Sequence, residues 1–261
     1  MPAIYAHYRF GNLILPKLPA DVRGAIQRNR HLFDAGLQGP DFLLYYRPAS
    51  SNPVSDLSRT FHSQTGAVFF DAACRTLERT STEAELAYLY GLLGHYCLDS
   101  YCHPLVDQQV KNHRVGHHAM ESAFERYLLE LDGVARPESY PRGRLLKLTK
   151  KECQTVSGFF PGTTPEQIRE AFESMRRFTG LMTCGNPLHR TAAKAVLYVM
   201  GRERTGLLLP SKAETGHRER NEALLDRFAQ AMVQYPVLLE QVRDHITFRE
   251  PLGEGFEKIF G

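Results

Sequence analysis

The stretch GLLGHYCLDSYCHP, residues 91–104, decides what fold this sequence takes and where its chemistry lies. It places His95, Asp99 and His103 in an H-x3-D-x3-H pattern. On an α-helix each four-residue step turns about 40° beyond a full turn and rises about 6 Å, so the three side chains project from one side. Tyr88, Leu92, His95 and Asp99 follow i, i+4, i+7, i+11 spacing. That is the spacing of an apolar stripe, so an imidazole and a carboxylate stand where core residues belong. A buried carboxylate flanked by imidazoles is costly unless something compensates it. A metal ion does so, because His nitrogen and Asp oxygen are ordinary zinc ligands.

The next helical stretch repeats the arrangement. His117 and Glu121 lie one turn apart, and Phe124 and Leu128 continue their stripe. Either pair alone reads as a surface ion pair on a helix. Two helices aiming such pairs inward point to a metal site shared between helices. Three upstream residues extend the set: His7 in YAHYRFG, Asp41 in GPDFLLYY after a Gly-Pro turn, and His62 in RTFHSQTG. Taken singly, Asp41 also reads as a turn residue, and His7 and His62 as core or surface histidines. His31 is an alternative to His62.

Outward from this region the chain reads as all-α. Helices are expected over 67–79, from Glu83 to His103 with Pro104 as the stop, over 116–131 ending at Gly133, and over 165–182, 187–200 and 218–245, the last interrupted by Pro236. Thr80 or Thr82 is a cap for the second of these, with a glutamate three residues on. The first 65 residues carry Pro16, Pro19, Pro40, Pro48 and Pro53 and read as long irregular loops, with one helix allowed over 18–30. Residues 135–144 read as a linker, dividing a metal-site region, 1–134, from a C-terminal helical region, 135–261, packed into the same domain. Alternating β patterns are nearly absent, which sets the fold class.

The 261 residues are 43% hydrophobic and 23% charged, enough to fold around a sizeable core and too apolar for disorder. A net charge of +3 with scattered basic residues gives no positive support for nucleic acid. No run approaches the ~18 apolar residues of a membrane span. The first residues show no secretory signal, and the five cysteines are odd in number, so reduced thiols and a cytoplasmic location are expected. Of 11 histidines, eight precede residue 119, which places the chemistry in the N-terminal half.

The ordered set His7, Asp41, His62, His95-x3-Asp99, His103, His117-x3-Glu121 resembles the zinc-dependent phospholipase C family, which is related to the P1-type nucleases. The resemblance covers roughly residues 1–130. It implies an all-helical fold and two or three zinc ions: one held by Asp41, His62, His95 and Asp99, a second by His103, His117 and Glu121, and a third by His7 with Asp99 bridging. It implies a metal-dependent phosphodiester hydrolase in which a metal-bridged water or hydroxide attacks phosphorus, with Asp41 orienting or deprotonating it. The substrate implied is a phosphodiester or phospholipid. A nuclease or nucleotide phosphodiesterase on the same site, and a non-catalytic zinc-stabilised module, are the rival readings. Three carboxylates carry fewer negative charges than two or three zinc ions supply, so such a site attracts an anionic diester. Unlike the secreted relatives, whose mature chains begin with a metal-binding tryptophan, this chain has no tryptophan. The Asp99-to-His103 gap is also shorter than theirs. Pro2, once exposed by loss of Met1, is a substitute for that terminal amine. His118 falls on a different helix face from His117 and reads as a neighbouring or surface residue. Cys97 and Cys102 read as reduced core residues, and Glu214-x-x-His217 as an isolated pair.

Overall fold

The computed structural model describes residues 4–77, 81–113, 115–145, 147–212 and 218–259. Pro2, Arg114, Glu214, His217 and the side chain of His113 lie outside the described residues. Eleven α-helices are described: α1 (Ile4–Ile14), α2 (Ala20–Arg28), α3 (Arg30–Gly36), α4 (Pro53–His62), α5 (Gly66–Leu77), α6 (Glu83–His113), α7 (His117–Leu131), α8 (Lys150–Gly158), α9 (Pro165–Leu181), α10 (Pro187–Met200) and α11 (Arg218–Phe248). Short 3₁₀ turns link several of them, and no strand is present among the described residues. The fold is all-α, as the periodicity predicts. No helix among the described residues is long and apolar enough to cross a membrane.

Helix α6 is the axis of the molecule. Every residue from Ala87 to Ser100 is buried, so this stretch has no solvent-facing side at all. A helix apolar all round is surrounded on every flank. Helix α3 crosses it where Gly36 meets Gly91; a Cβ on Gly36 would stand 2.3 Å from the Tyr88 carbonyl, and one on Gly91 2.2 Å from that of Phe33. Helix α11 packs along another flank, and the buried Tyr235 hydroxyl donates to the Tyr90 carbonyl at 2.8 Å. After α11 the chain returns to α6. Phe256, fully buried, stacks on Tyr96 with ring centroids 5.7 Å apart, and the Tyr96 hydroxyl donates to the Gly255 carbonyl at 2.8 Å. Burying a phenylalanine of this kind contributes roughly 1.5–3 kcal/mol. One hydrophobic cluster therefore runs from Ile4 to Phe256, while Met182, Cys184, Ala193, Leu197 and Leu208 form a second, smaller one beneath α10.

Several local expectations are corrected. The first 65 residues are mostly helical rather than irregular. All but one of the prolines described there sit where helical segments start: Pro53 occupies the first turn of α4 behind an Asn52–Ser55 capping box, Pro19 is the N-cap residue of α2, and Pro16 and Pro40 stand at the starts of 3₁₀ segments, while Pro48 lies in a turn. The longest stretch without α-helix there is 37–52, which holds the 3₁₀ turn Asp41–Tyr45. Pro104 does not end α6, which continues to His113, nor does Pro236 interrupt α11. In each case one lost backbone hydrogen bond is outweighed by packing, shown by buried Val106 beyond Pro104 and buried Leu238, Leu239 and Val242 beyond Pro236. Helix α8 was not expected. Its signal is the Thr149–Glu152 capping box, in which the Glu152 main-chain N–H donates to the Thr149 hydroxyl and the Thr149 N–H to the Glu152 carboxylate. The same device starts α6 at Thr82–Glu85.

Candidate metal centre

Five elements of the fold bring titratable side chains together around the middle of α6. His95, Asp99 and His103 succeed one another along that helix. His7 comes from α1, Asp41 from the start of the 3₁₀ turn, His62 from the last residue of α4, and His117 and Glu121 from the first two turns of α7. His7, Asp41, His95, Asp99 and Glu121 are buried, while His62, His103 and His117 are partly open.

The contacts form a chain. His7 Nε2 lies 3.2 Å from Asp99 Oδ1, and its ring stacks on His95 with centroids 4.5 Å apart. Asp99 Oδ2 stands 3.3 Å from His95 Nε2 and 3.5 Å from His103 Nε2. His62 Nε2 is 3.0 Å from Asp41 Oδ1. His117 Nε2 is 2.5 Å from Glu121 Oε1. The ligand atoms fall into three groups, each within 4.8 Å: His7, His95 and Asp99; Asp41, His62 and His95; His103, His117 and Glu121. His95 is thus common to two groups, whereas the resemblance assigned it to one.

Backbone acceptors set the imidazoles. His95 Nδ1 faces the Leu37 carbonyl at 3.2 Å and His62 Nδ1 the Ser58 carbonyl at 2.7 Å. A carbonyl only accepts, so Nδ1 is the donor in both rings and Nε2 presents a lone pair to the site. Gly39 makes room for this. Its φ is +55°, and a Cβ there would lie 2.1 Å from His95 Cδ2. Only glycine combines that backbone with that approach.

His95, Asp99 and Glu121 are shifted toward the protonation states that ligation requires, whereas His62 and His117, facing Asp41 and Glu121, are shifted toward the protonated form. Burial, assisted by His7 and His62, pushes the His95 imidazole down to about 3, against the pull of Asp99 and Asp41. Burial works to raise the Asp99 carboxyl, but His95, His103 and His7 outweigh it and hold it well below the carboxylate range. Glu121, likewise opposed by burial, is brought down to about 2 by His117 and His118.

A divalent cation fits this donor set. Both ring nitrogens of His7 and both oxygens of Asp99 are buried without a well-formed hydrogen bond. Unsatisfied buried carboxylates are expensive. Two ligands held about 2.1 Å from one tetrahedral ion stand roughly 3.4 Å apart. The 3.2–3.5 Å separations around Asp99 match that value better than they match an N–H···O bond.

Outside the buried groups lies an open cleft of about 610 Å³. Asp41, His62, His103 and His117 form part of its lining, together with Tyr45, Phe178 and Leu207. Arg59 and Arg204 also line it, and the sequence reading missed both: Arg59 stands one turn before His62 on α4, a signal that was available, while Arg204 lies far along the chain from every histidine motif. His118 was placed on another face, but its Nδ1 lies 3.5 Å from Glu121 Oε2 and it lines the cleft. The i, i+3 spacing to Glu121 was the available signal. His31 is not at the site: it is exposed and faces Glu152. Cys97 donates its thiol to the Ala231 carbonyl, and neither it nor Cys102 joins a ligand group among the described residues.

A family model described as zinc dependent phospholipase C matches residues 6–161, more than half the chain and a span that contains all eight residues. No curated protein and no solved structure matches the chain.

Proposed function

The chain belongs to the zinc-dependent phospholipase C family, and on that footing we propose that it hydrolyses the phosphodiester of a phospholipid at the cleft over α6. The observation that carries the proposal is the convergence of His7, Asp41, His62, His95, Asp99, His103, His117 and Glu121 into three groups of ligand distance beneath an accessible cleft. These residues would hold the zinc. When bound, zinc supplies Lewis acidity, which lowers the pKa of water and offsets charge on phosphate oxygens.

The protein's own groups would do the rest. Asp41, on the cleft lining and against His62, would accept the proton of the attacking water. The new bond is water oxygen to phosphorus, and the bond to the lipid alkoxide breaks. Arg59 and Arg204 would orient the anionic diester, and Tyr45, Phe178 and Leu207 would face its apolar part. An open cleft over partly exposed His103 and His117 favours a catalytic centre over a closed structural one, which keeps no free position. A cytoplasmic location belongs to the same proposal.

The test is metal analysis of the purified protein with anomalous scattering to place each ion, alongside turnover of a short-chain phosphatidylcholine and of single-stranded DNA. Bound zinc, turnover of the lipid and its loss in His95→Ala are expected. Turnover of DNA alone would move the proposal to a nuclease, and a metal-free, fully active protein would end it.

A further inference from the structure

Helix α10 presents its apolar residues to water. Leu188, Ala192, Ala195, Val196 and Val199 follow i, i+4, i+7, i+8, i+11 spacing and all are exposed, Leu188 by 81% and Val199 by 86%. The two residues the helix buries, Ala193 and Leu197, lie on the opposite side, about half a turn away. A contiguous solvent-facing aliphatic stripe marks an interaction surface, unlike scattered single residues. Its electrostatics are one-sided. From Pro187 to Arg202 the chain carries no acidic residue, and of its Arg190, Lys194 and Arg202 the last two are exposed, while Arg190 donates to the Leu209 carbonyl.

The stripe belongs to the lobe that walls the cleft. Ala193 and Leu197 pack into the smaller hydrophobic cluster, against which Phe178 and Leu207 also pack. Both of those residues line the cleft, and Arg204 joins them from the 3₁₀ segment Arg202–Leu207 that follows α10. This whole lobe lies beyond the 6–161 family match.

We propose that the outer face of α10 is an interfacial docking surface that inserts its aliphatic stripe into an anionic lipid bilayer and brings the cleft wall to the membrane. An amphipathic helix with aliphatic residues on one face and cations beside them lies in the plane of the headgroups, its apolar side in the acyl boundary. The lipid as occupant rests on the phospholipase reading; the exposed stripe and its charge do not.

The experiment is co-sedimentation of the full chain, stripped of metal with chelator, with vesicles of phosphatidylcholine alone or mixed with phosphatidylglycerol. Wild type binds the mixed vesicles more tightly. Leu188→Asp and Val199→Asp, both at exposed positions and checked by melting curves, weaken partitioning about tenfold or more each. Lys194→Glu lowers the preference for phosphatidylglycerol. In the zinc-loaded protein, the ratio of vesicle-lipid turnover to turnover of soluble bis(4-nitrophenyl) phosphate falls with the same substitutions. Equal partitioning of wild type and both aspartate variants overturns the proposal. So does a dimer in sedimentation velocity that Val199→Asp dissociates, because the stripe is then a contact between two copies. A chain that binds vesicles through the stripe but cleaves no diester upholds this surface and removes the enzyme reading. Diester cleavage with stripe-independent partitioning does the reverse.

Discussion

Replacing Gly39 with alanine alters none of the eight convergent side chains, yet it strikes the residue two of the groups share. The new Cβ would lie 2.1 Å from His95 Cδ2, 2.3 Å from Nε2 and 2.4 Å from Cγ. Ordinary carbon contacts lie near ~3.5–4.0 Å, so the ring must move by more than an ångström. Its displacement breaks the alignment with the Leu37 carbonyl and takes Nε2 away from Asp99. The left-handed backbone adds about 1 kcal/mol for a residue with a Cβ, and overpacking a tight interior about 1–3 kcal/mol. Together roughly 2–4 kcal/mol is lost, which lowers Tm by about 5–15 °C for a chain of this size. Gly133→Ala is the control: its φ is +77° and nothing lies within 4 Å of the added carbon, so backbone strain acts alone. The assay is zinc content after dialysis, paired with thermal melting of both variants. Gly39→Ala should lose zinc and melt well below Gly133→Ala. Equal zinc content and equal melting would refute the placement of Gly39 against His95.

Chelation should lower Tm, since an ion present at about a thousand times its Kd stabilises the fold by about 4 kcal/mol; restoration by magnesium as fully as by zinc would contradict the nitrogen-rich donor set. In the stripped protein His95 is held neutral, down to about 3, so the unfolded chain binds the extra proton below pH ~6.5. Stability is therefore complete above that value and falls on acidification at up to ~1.4 kcal/mol per pH unit. His62 and His117 are shifted upward, and their contributions are already complete and flat below pH ~6.5. Urea denaturation should give lower stability at pH 5 than at pH 6, and no difference would show that His95 is not a buried neutral imidazole. Glu125→Gln should cost about 3–5 kcal/mol, because it strands the buried Arg142 guanidinium and weakens the bond from the Tyr5 main-chain N–H; an unchanged melting curve would exclude that pair.

What the sequence made legible was local. The Thr82–Glu85 capping box, the Pro187 start of α10 and the Gly133 stop of α7 each occur within a few residues, and each is a backbone rule that holds without tertiary knowledge. His95, Asp99 and His103, and His117 with Glu121, were legible for a related reason: four-residue spacing fixes their side before the partner helices are known, whereas His7, Asp41 and His62 carry no such spacing and joined the set only through the resemblance. The apolar-stripe argument expected His95 to be buried, as it is, but by an incomplete route, because α6 around it is buried on every side rather than on one. Prolines misled the reading, since a start residue, as at Pro53, and an interior residue, as at Pro104 and Pro236, look alike until packing is known. Arg204 was invisible for the opposite reason: it reaches the cleft from a 3₁₀ segment far along the chain, and no local pattern links it to His95, whereas Arg59, one turn before His62 on α4, was simply passed over.

The return of the chain to α6 has a consequence for how this protein is made. The histidines and acids are all synthesised in the first half, but the helix carrying His95 keeps an open apolar flank until Tyr235 and Phe256 arrive to cover it. On the ribosome, a nascent chain halted after residue 161 would expose that flank to chaperones and proteases instead of closing it. A fragment ending near residue 161 should therefore not fold as an excisable module, because the α6 flank that carries His95 would lack the Tyr235 and Phe256 that cover it.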